Sequence, residues 1–549
     1  MSGRAVRTLG VLLLLVPFPL RSQQEVGISV SNFLRYGTGE ERVGTLTSSK
    51  EYLENLTETR ISVSDFLVGF RLLFDAPPEY GVPFAGMRKR YVEFRKEDLT
   101  VRAGDSFTLL GRGLALNTFE SRGLAFDTGI DGIKLEYRTP VLDAVLTGGD
   151  LLYRDVMSLD RTEAYRLRAG MVRYRPLSPL ELGMSFAGGE SSFPPPTFPD
   201  QRARFDIPEY FARATFGALD LAASYAEKRT TVLGRGPTHR GTAFYGTLSY
   251  AAGSFGLSLE VKDYRFGIAD PYDRANPNRA TRMFAFQNPP IVHREDTFTL
   301  LTRAPHVIDF NDETGAQIDL FYTVWERLTG LVNLTIASRH YSFTPTGDTN
   351  QIFLPVFGSV SRPWSFLPSF SSRYSPFWEL SLEWQYFLDE EGTGYVQTGF
   401  NRWYDEEADE ILSASASSLR TDVAHSVFVP LVFQYPLGSG WAVKFVTEHQ
   451  WLHDEKNSAQ TDYTNHFFSA GVSLSPSSAA TLRYEYTTDR ATVDGRRHWA
   501  AVDLSHRLSA AHTLTLTAGA DRGGQICANG VCRVVNPFAG VRASMLSYF

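Results

Sequence analysis

The residue types that most often perform catalysis do not form a recognisable catalytic or metal-binding motif in this sequence. Histidines such as His293, His306 and His340 are scattered, and none belongs to a His-Glu-x-x-His pair. No Gly-x-Ser-x-Gly turn has a setting suited to a nucleophilic serine. Distant strands can still bring a serine, a histidine and an acid together, so an embedded hydrolase remains the third and least favoured function. We predict that the protein is not an enzyme.

A short acidic run is the best candidate for binding a metal ion. Its carboxylates are Asp405, Glu406, Glu407, Asp409 and Glu410. Ca²⁺, or the divalent ions that bridge lipopolysaccharide, would prefer such clustered oxygen ligands. The favoured interpretation is the solvated tip of an extracellular loop, so no metal site is predicted.

Neither a nucleotide nor a nucleic acid is an expected ligand. GRGLAL, with Gly111 and Gly113, lacks the helix and the Gly-Lys-Ser/Thr sequence of a phosphate-binding loop. These glycines instead predict a tight loop or a close approach of backbone. The net charge of −7 argues against nucleic acid as a partner. No cofactor is predicted.

The two cysteines, Cys527 and Cys532, flank Asn529-Gly530 in GGQICANGVCR. This spacing suggests a hairpin loop that a disulfide could close. An exported chain meets an oxidising compartment, which favours the disulfide. Metal binding is disfavoured because two thiolates without nearby histidines fall short of four ligands.

Residues 1–22 have the features of a secretory signal. Arg4 and Arg7 precede a short apolar core at 11–20, and Ser22 is a small residue suited to cleavage. The core is shorter than the ~20 apolar residues that a membrane-spanning helix needs. The chain is therefore expected to be exported.

The remaining residues, 23–549, are predicted to form one transmembrane antiparallel β-barrel. Aromatic residues make up 13% of the chain, and no shift in composition divides it. Strand-like runs are joined alternately by short turns and long polar connections, the pattern of periplasmic turns and extracellular loops. About 24 strands fit this alternation, or about 22 if 26–36 and 53–63 form an insert. The stretch 37–52 between those two runs is expected to be a long connection.

Strand alternation predicts which side chains line the lumen. In YSPFWELSLEWQYFLD, Trp378 and Leu380 share one face, whereas Glu379 and Glu383 share the other. In a barrel the apolar face meets lipid and the polar face lines the lumen. The predicted lumen residues are Arg166, Arg168, Glu260, Lys262, Asp319, Glu379, Glu383, Lys444, Glu448, Arg483 and Glu485. Their mixed signs predict weak ion selectivity at most.

Two long connections, 266–314 and 342–373, are expected to lie outside the cell or to fold over or into the lumen. A barrel of ~24 strands is wide enough to need a plug or to leave a large opening. The arginine, asparagine and aromatic residues of 266–314 could satisfy a polar wall.

The final run, VRASMLSYF, alternates with a period of two and ends at Phe549. Such an ending resembles the last strand of bacterial outer-membrane barrels, which the barrel-insertion machinery recognises. Phe549 is the predicted insertion signal.

The stretch 88–138 contains RAGDSF, GRGLAL and FDTGIDGIKLEY, and GGQICANGVCR lies near the end of the chain. With these features the sequence resembles a family of uncharacterised outer-membrane β-barrel proteins of Gram-negative bacteria, a domain of unknown function. The likeness covers nearly the whole mature chain. It implies a barrel in the bacterial outer membrane and no assigned activity.

The favoured function is therefore a passive channel or a solute-binding, porin-like protein. The alternative is a plugged barrel that acts as a structural component or binds a secreted or surface partner. In either case the expected surroundings are outer-membrane lipid and lipopolysaccharide. An open lumen would favour the channel, and a filled lumen would favour the alternative.

Overall fold

The structure of this protein is a computed structural model. The described residues are 26–44, 46–155, 161–193, 201–234, 238–275, 282–303, 305–350, 353–360, 362, 364–415, 418–456, 460–528 and 531–549. The predicted secretory signal at 1–22 lies outside the described residues.

Most of the described chain forms the strands of one sheet. The wall strands are Val26–Val43, Leu46–Val63, Phe66–Asp75, Phe84–Lys96, Leu99–Ser106, Ile130–Arg138, Leu142–Asp155, Arg161–Leu177, Leu180–Phe193, Gln201–Phe216, Leu219–Val232, His239–Ala252, Phe255–Arg265, Asp312–Trp325, Leu328–Ser338, Phe377–Phe387, Tyr395–Asp409, Arg420–Gly438, Trp441–Asp454, Asp462–Leu474, Ser478–Thr487, His498–Arg507, His512–Asp521 and Phe538–Tyr548. Small hairpins pair Glu120–Ser121 with Phe126–Asp127, Phe343–Thr349 with Pro355–Ser359, and Gly524–Ala528 with Val531–Val535. Short helical turns occur at Arg122–Leu124, Tyr272–Ala275, Leu301–Arg303, Ser372–Tyr374 and Glu410–Ser413.

The sheet has 24 strands and closes on itself. Neighbouring strands pair antiparallel, and the ring closes where Val26–Val43 pairs with Phe538–Tyr548. Phe549 extends this seam, because its N–H donates to the Val30 carbonyl at 2.8 Å and its carbonyl accepts from the Val30 N–H at 3.0 Å. Closure satisfies the backbone groups that an open sheet edge would leave unpaired. The predicted single barrel is confirmed.

The first hairpin is longer than the sequence suggests. The stretch 37–52, expected to be a long connection, belongs to two strands that pair from Val26 to Val43 and from Val63 to Leu46. The hairpin turns at Gly44, whose φ of 60° lies in the left-handed region that glycine adopts readily. Residues 37–52 are largely polar on both faces, so period-two hydrophobicity does not reveal them as strand.

Large apolar side chains cover the outer wall. In Phe377–Phe387, Trp378, Leu380, Leu382 and Trp384 point outward. An apolar band around a closed barrel matches the hydrocarbon of a bilayer, and barrels of this kind span bacterial outer membranes. The described residues include no helix of the length and apolar character needed to cross a membrane. The protein is therefore a barrel of the bacterial outer membrane. The end with the long connections is called the extracellular end, because barrels of this class place their short turns in the periplasm.

Candidate functional site

Two chain segments enter the lumen and bind each other there. We call residues 107–129 the inner loop and residues 282–303 the strap. Asn117 Nδ2 donates to the Asn288 carbonyl, and Asn288 Nδ2 donates to the Asn117 carbonyl, each at 2.8 Å. The N–H of Asn117 also donates to the Phe286 carbonyl at 2.9 Å. This reciprocal amide pair makes the two segments one unit.

The first half of the strap packs on one wall through aromatic rings. The Phe284 and Phe286 rings lie edge-on to Tyr165, with centroids 5.8 and 5.2 Å from its ring. Both also contact Phe205, at 4.8 and 5.3 Å. The Lys228 ammonium lies 3.7 Å from the Phe284 centroid, a cation–π contact. This wall of the lumen is therefore an apolar core rather than a water-lined surface.

The second half of the strap crosses to other wall strands through charged groups. His293 Nε2 lies 2.9 Å from Glu379 Oε2, and Arg294 Nη2 lies 2.5 Å from Glu383 Oε1. Both glutamates project inward from Phe377–Phe387. Two predicted lumen carboxylates are thus occupied by the strap.

The strap ends on two further inward-facing carboxyl groups. The Glu448 carboxyl accepts hydrogen bonds from the N–H groups of Thr299 at 3.1 Å and Leu300 at 2.8 Å. Arg303 Nη2 donates to Glu485 Oε2 at 2.6 Å. The strap therefore reaches from the wall that carries Tyr165 to the strand that carries Glu485.

A charged cluster lies just beyond the strap. The His306 ring stacks on Phe377 at 3.9 Å, with Nδ1 3.1 Å from Asp405 Oδ2 and Nε2 3.5 Å from Glu313 Oε2. Lys262 Nζ approaches Glu313 Oε1 at 2.5 Å. Burial lowers the pKa of His306, but the carboxylates of Asp405 and Glu313 outweigh burial and raise this pKa to about 9. His306 is therefore a cation at neutral pH.

The inner loop is organised around a buried carboxylate. Glu209 accepts hydrogen bonds from the N–H groups of Arg112 at 3.0 Å and Ala115 at 3.3 Å, and from Ser185 Oγ at 2.9 Å. Gly111 lies against this carboxylate with φ of 54°, and a Cβ there would clash with it. The GRGLAL motif is thus a tight turn around Glu209.

The inner loop also binds the N-terminal strands. Arg71 Nη1 lies 2.7 Å from Glu120 Oε1, and Arg122 forms an ion pair with Glu54. Because Glu54 and Arg71 belong to Leu46–Val63 and Phe66–Asp75, the inner loop is bound to the N-terminal part of the wall.

A disulfide-closed hairpin covers the extracellular mouth. Cys527 and Cys532 are bonded, as the sequence predicts. Arg303 of the strap donates to the carbonyl of Gly523, just before the hairpin, at 3.1 Å. The Arg533 guanidinium lies 3.5 Å from the ring centroid of Tyr80, which belongs to the connection between Phe66–Asp75 and Phe84–Lys96. The hairpin therefore bridges the strap and the rim.

A cavity of about 1270 Å³ lies between the strap, the hairpin and the upper end of Tyr395–Asp409. Asp296 and Phe284 line it from the strap, Cys527 from the hairpin, and Glu407 from the wall. Its walls carry acidic and basic groups, such as Glu379 and Arg294, together with apolar side chains such as Leu301 and Trp403. This cavity is the candidate binding site of the barrel.

The structure places most of the predicted lumen residues on the inward face. Those residues are Glu260, Lys262, Asp319, Glu379, Glu383, Lys444, Glu448, Arg483 and Glu485. Several bind wall neighbours rather than the strap: Asp319 accepts from Gln317 and Asn333 at 2.7 Å, and Arg483 Nη2 donates to Asp503 at 3.2 Å. These side chains therefore have partners within the wall itself.

The predictions for Arg166 and Arg168 are wrong, because both side chains point outward. The Arg166 side chain is 78% exposed and lies 3.3 Å from the outward-facing Asp150. The neighbouring Tyr165 and Leu167 point inward and are buried in one apolar cluster with residues of the strap and the inner loop. The usual polarity is reversed in this strand because the strap supplies an apolar surface inside the lumen.

The acidic run is not the tip of a loop, contrary to the sequence interpretation. Asp405, Glu406, Glu407 and Asp409 belong to Tyr395–Asp409, and Glu410 begins a short helix. These carboxylates have protein partners. Asp405 binds His306, Glu407 lies 3.4 Å from Arg339, and Glu410 lies 3.3 Å from Arg274. The described part of the chain has no group of three or more His, Cys, Asp or Glu residues that could hold a metal ion.

The two long connections have different positions. The connection 266–314 contains the strap and enters the lumen. The described residues of 342–373 lie at the mouth and against the outer side of the wall, and none of them lines the cavity. The hypothesis of a lumen-folding loop therefore applies to the first connection and not to the second.

Sequence reasoning missed several residues that hold the inner loop and the strap, including Glu209, Asn117 and Asn288. Glu209 is in phase with Ala203 and Phe205, but Asp206 is in phase with Tyr210 on the opposite face of the same strand. A charge on each face gives no signal for which face is inward. The asparagines lie in irregular backbone and offer no periodic pattern.

The closed wall and its apolar outer band define an outer-membrane β-barrel, and two chain segments lie inside its lumen. Residues 60–549 match the model of a family of unknown function, DUF6029, and the chain belongs to that family. No curated protein matches the sequence.

Several solved outer-membrane structures are similar in shape. The siderophore receptor PirA from Pseudomonas aeruginosa has a TM-score of 0.47 at 8% identity, covering 96% of this chain and 81% of PirA. The P pilus usher PapC translocation pore has a TM-score of 0.39 at 10% identity, covering 95% and 99%. OpdO from Pseudomonas aeruginosa has a TM-score of 0.37 at 11% identity, covering 74% and 96%. Likeness at this level says nothing about substrate or mechanism.

Proposed function

We propose that the protein is a barrel closed by its own strap, in which a ligand bound at the extracellular mouth controls the lumen. The observation that carries the proposal is that the strap binds opposite walls, through Phe284 on one side and through Glu448 and Glu485 on the other. A segment that spans the lumen in this way would narrow or block free passage through the barrel.

The number and kind of these contacts favour a closed resting state. Hydrogen bonds to charged groups each contribute about 1.5–3 kcal/mol, and burying each large aromatic ring contributes a further ~1.5–3 kcal/mol. Displacing the strap would break several of these contacts together. The open population would then be small unless a ligand compensates.

The cavity gives a ligand access to the strap. At about 1270 Å³ it is larger than the ~300–1,000 Å³ of ordinary small-molecule sites. A ligand with cationic groups would compete with His293 and Arg294 for Glu379 and Glu383. Such competition is a physical route from binding at the mouth to movement of the strap.

Solute passage after strap displacement is the second candidate function. The observation that favours it is the polar inner wall on the periplasmic side of the strap, where Asp319, Lys444 and Arg483 face inward. A purely structural barrel would not need such a wall.

Hydrolysis is not proposed. Among the hydrogen bonds of the described residues, one joins a serine and a histidine side chain, Ser478 Oγ and His506 Nδ1 at 2.8 Å. No carboxylate of the described chain pairs with His506, so the third member of a triad is missing there.

Single-channel conductance in planar bilayers tests the proposal. We expect the wild-type barrel to be mostly silent, and a variant with 284–303 replaced by a short Gly-Ser linker to conduct steadily. Heat-modifiable migration on gels would establish that both proteins are folded. Steady conductance of the folded wild-type protein would contradict the proposal directly and would favour a passive channel, whether or not the variant folds.

A further inference from the structure

One part of the connection 342–373 lies on the outside of the barrel wall. We call residues 362 and 364–371 the aromatic segment. Thr314 Oγ1 donates to the Phe366 carbonyl, and the Ser369 N–H donates to Ser338 Oγ, both at 2.9 Å. Thr314 and Ser338 are cross-strand partners on the outward face. The aromatic segment is therefore held against the outer surface.

The aromatic segment exposes large apolar side chains. The exposed fractions are 72% for Trp364, 54% for Phe366, 52% for Leu367 and 67% for Phe370. Scattered apolar residues on a surface are ordinary, but four within seven residues form a patch. In water such a patch would be unfavourable, because removing large apolar side chains from water is favourable.

The height of the patch on the wall coincides with the edge of the membrane. Thr314 lies eleven residues before Trp325, which ends its strand at the periplasmic side. A strand rises ~3.3 Å per residue and tilts by ~40° in such barrels, so Thr314 lies ~28 Å above that end. The apolar band of these barrels is ~25 Å tall. The aromatic segment is therefore at the outer-leaflet interface.

The wall lacks aromatic residues of its own where the segment lies. One cross-strand row on the outward face runs from Phe244 through Asp263 and Thr314 to Ser338. Three successive strands thus contribute polar residues to this row, and the strand before them contributes the aromatic residue Phe244. Further round the wall, two outward aromatic rings stack on adjacent strands with centroids 6.3 Å apart. The aromatic segment covers the gap between these aromatic positions.

We propose that the aromatic segment inserts into the outer-leaflet interface and contacts lipid, where Trp364, Phe366 and Phe370 complete the aromatic girdle of the barrel. The patch extends the lipid-facing band without interruption across the interval where the strands are polar. Tryptophan and other aromatic rings favour this depth, because they are apolar yet tolerate the polar headgroup region. The segment is thus an anchor supplied by a loop.

Quenching by brominated lipid tests the proposal on the full-length protein. The emission of Trp364 is obtained as the difference between the wild type and Trp364→Phe, reconstituted in vesicles of phosphatidylcholine with or without bromine on the acyl chains. We expect acyl bromine to remove about half or more of this difference, as for an interfacial ring. Both leaflets carry bromine, so the orientation of the barrel does not matter.

Trp403 provides the matched control. It faces inward and is buried, so the difference between wild type and Trp403→Phe is expected to be insensitive to brominated lipid. Quenching of the Trp364 emission by aqueous iodide, without quenching by brominated lipid, would overturn the proposal. That result would show a water-exposed patch available to a protein partner instead.

Discussion

At the scale of single residues, the position of the strap depends on inward-facing carboxyl groups. Glu448 accepts two backbone N–H groups from the strap, whereas Glu379, Glu383 and Glu485 bind its cationic side chains. Lys444 lies on the same strand and the same face as Glu448, nearer the periplasm. In the described chain no hydrogen bond or ion pair joins Lys444 to the strap. Glu448 therefore binds the strap, whereas Lys444 only faces the lumen. Comparing the two positions distinguishes the effect of the contact from the effect of the location.

We expect Glu448→Ala to destabilise the closed strap, because Thr299 and Leu300 lose the acceptor of their N–H groups. Losing a hydrogen bond to a charged group costs about 1.5–3 kcal/mol, so the open fraction should rise on the order of tenfold or more. Opening frequency in planar bilayers measures this change. Lys444→Ala, the matched control, should open as rarely as the wild type, and equal opening by both variants would contradict the assignment of Glu448.

At the scale of elements, the same alternation has opposite meanings in different strands. Phe377–Phe387 follows the ordinary rule, with tryptophan and leucine toward lipid and glutamate toward the lumen. Arg161–Leu177 does not, because its inward face packs on Phe284 and Phe286 of the strap. A strand pattern shows that two faces differ in polarity. It does not show which face is inward, so it predicts the wrong side for Arg166 and Arg168 and the right side for Glu379 and Glu383.

The hairpin at 524–535 is closed by the disulfide between Cys527 and Cys532. Replacing Cys527 and Cys532 by serine removes the cross-link of a very short loop, which is worth about 2 kcal/mol in the chain-entropy model. We expect faster amide hydrogen exchange across the hairpin and unchanged protection in the wall strands. Mass-spectrometric exchange measures both regions in one experiment.

Reduction of the wild-type protein by a mild thiol is the companion measurement for the hairpin. It should reproduce the exchange pattern of the double serine variant, since both remove the same bond. Unchanged exchange at 524–535 in both samples would mean that contacts such as Arg533 on Tyr80 suffice to hold the hairpin.

At the scale of the whole molecule, closure of the ring joins the two ends of the described chain. Val26–Val43 must pair with Phe538–Tyr548, the strands farthest apart in sequence, before the sheet has no free edge. Phe549 adds two backbone hydrogen bonds to Val30 at this seam, and its ring packs edge-on to His512 with centroids 5.4 Å apart. Recognition of Phe549 by the insertion machinery remains a prediction.

We expect Phe549→Ala to slow assembly of the barrel in the outer membrane several-fold, with little effect on the stability of barrels already formed. The backbone hydrogen bonds to Val30 persist in the variant, so the effect would come from lost recognition of the ring. The appearance of heat-modifiable barrel after a pulse of synthesis measures the rate. Tyr548→Ala is the control, and equal rates for the two variants would count against Phe549 as the signal.

The sequence by itself determined the class of fold and the disulfide. Three signals can be read locally along the chain: the period of two, the alternation of short and long connections, and the abundance of aromatic residues. Closing a sheet of this length satisfies the backbone groups at its edges. The bond between Cys527 and Cys532 followed from their spacing within one hairpin, because the two residues are neighbours in the chain as well as in space.

Only the tertiary structure decided what occupies the lumen and what lies outside the wall. The strap and the inner loop meet through Asn117 and Asn288, which are far apart in the chain and carry no periodic signal. The aromatic segment looks like any other loop until Thr314 and Ser338 place it against the outer face. Local periodicity reports the polarity of a strand's two faces, whereas the contacts of irregular segments depend on which distant surfaces the closed barrel brings within reach.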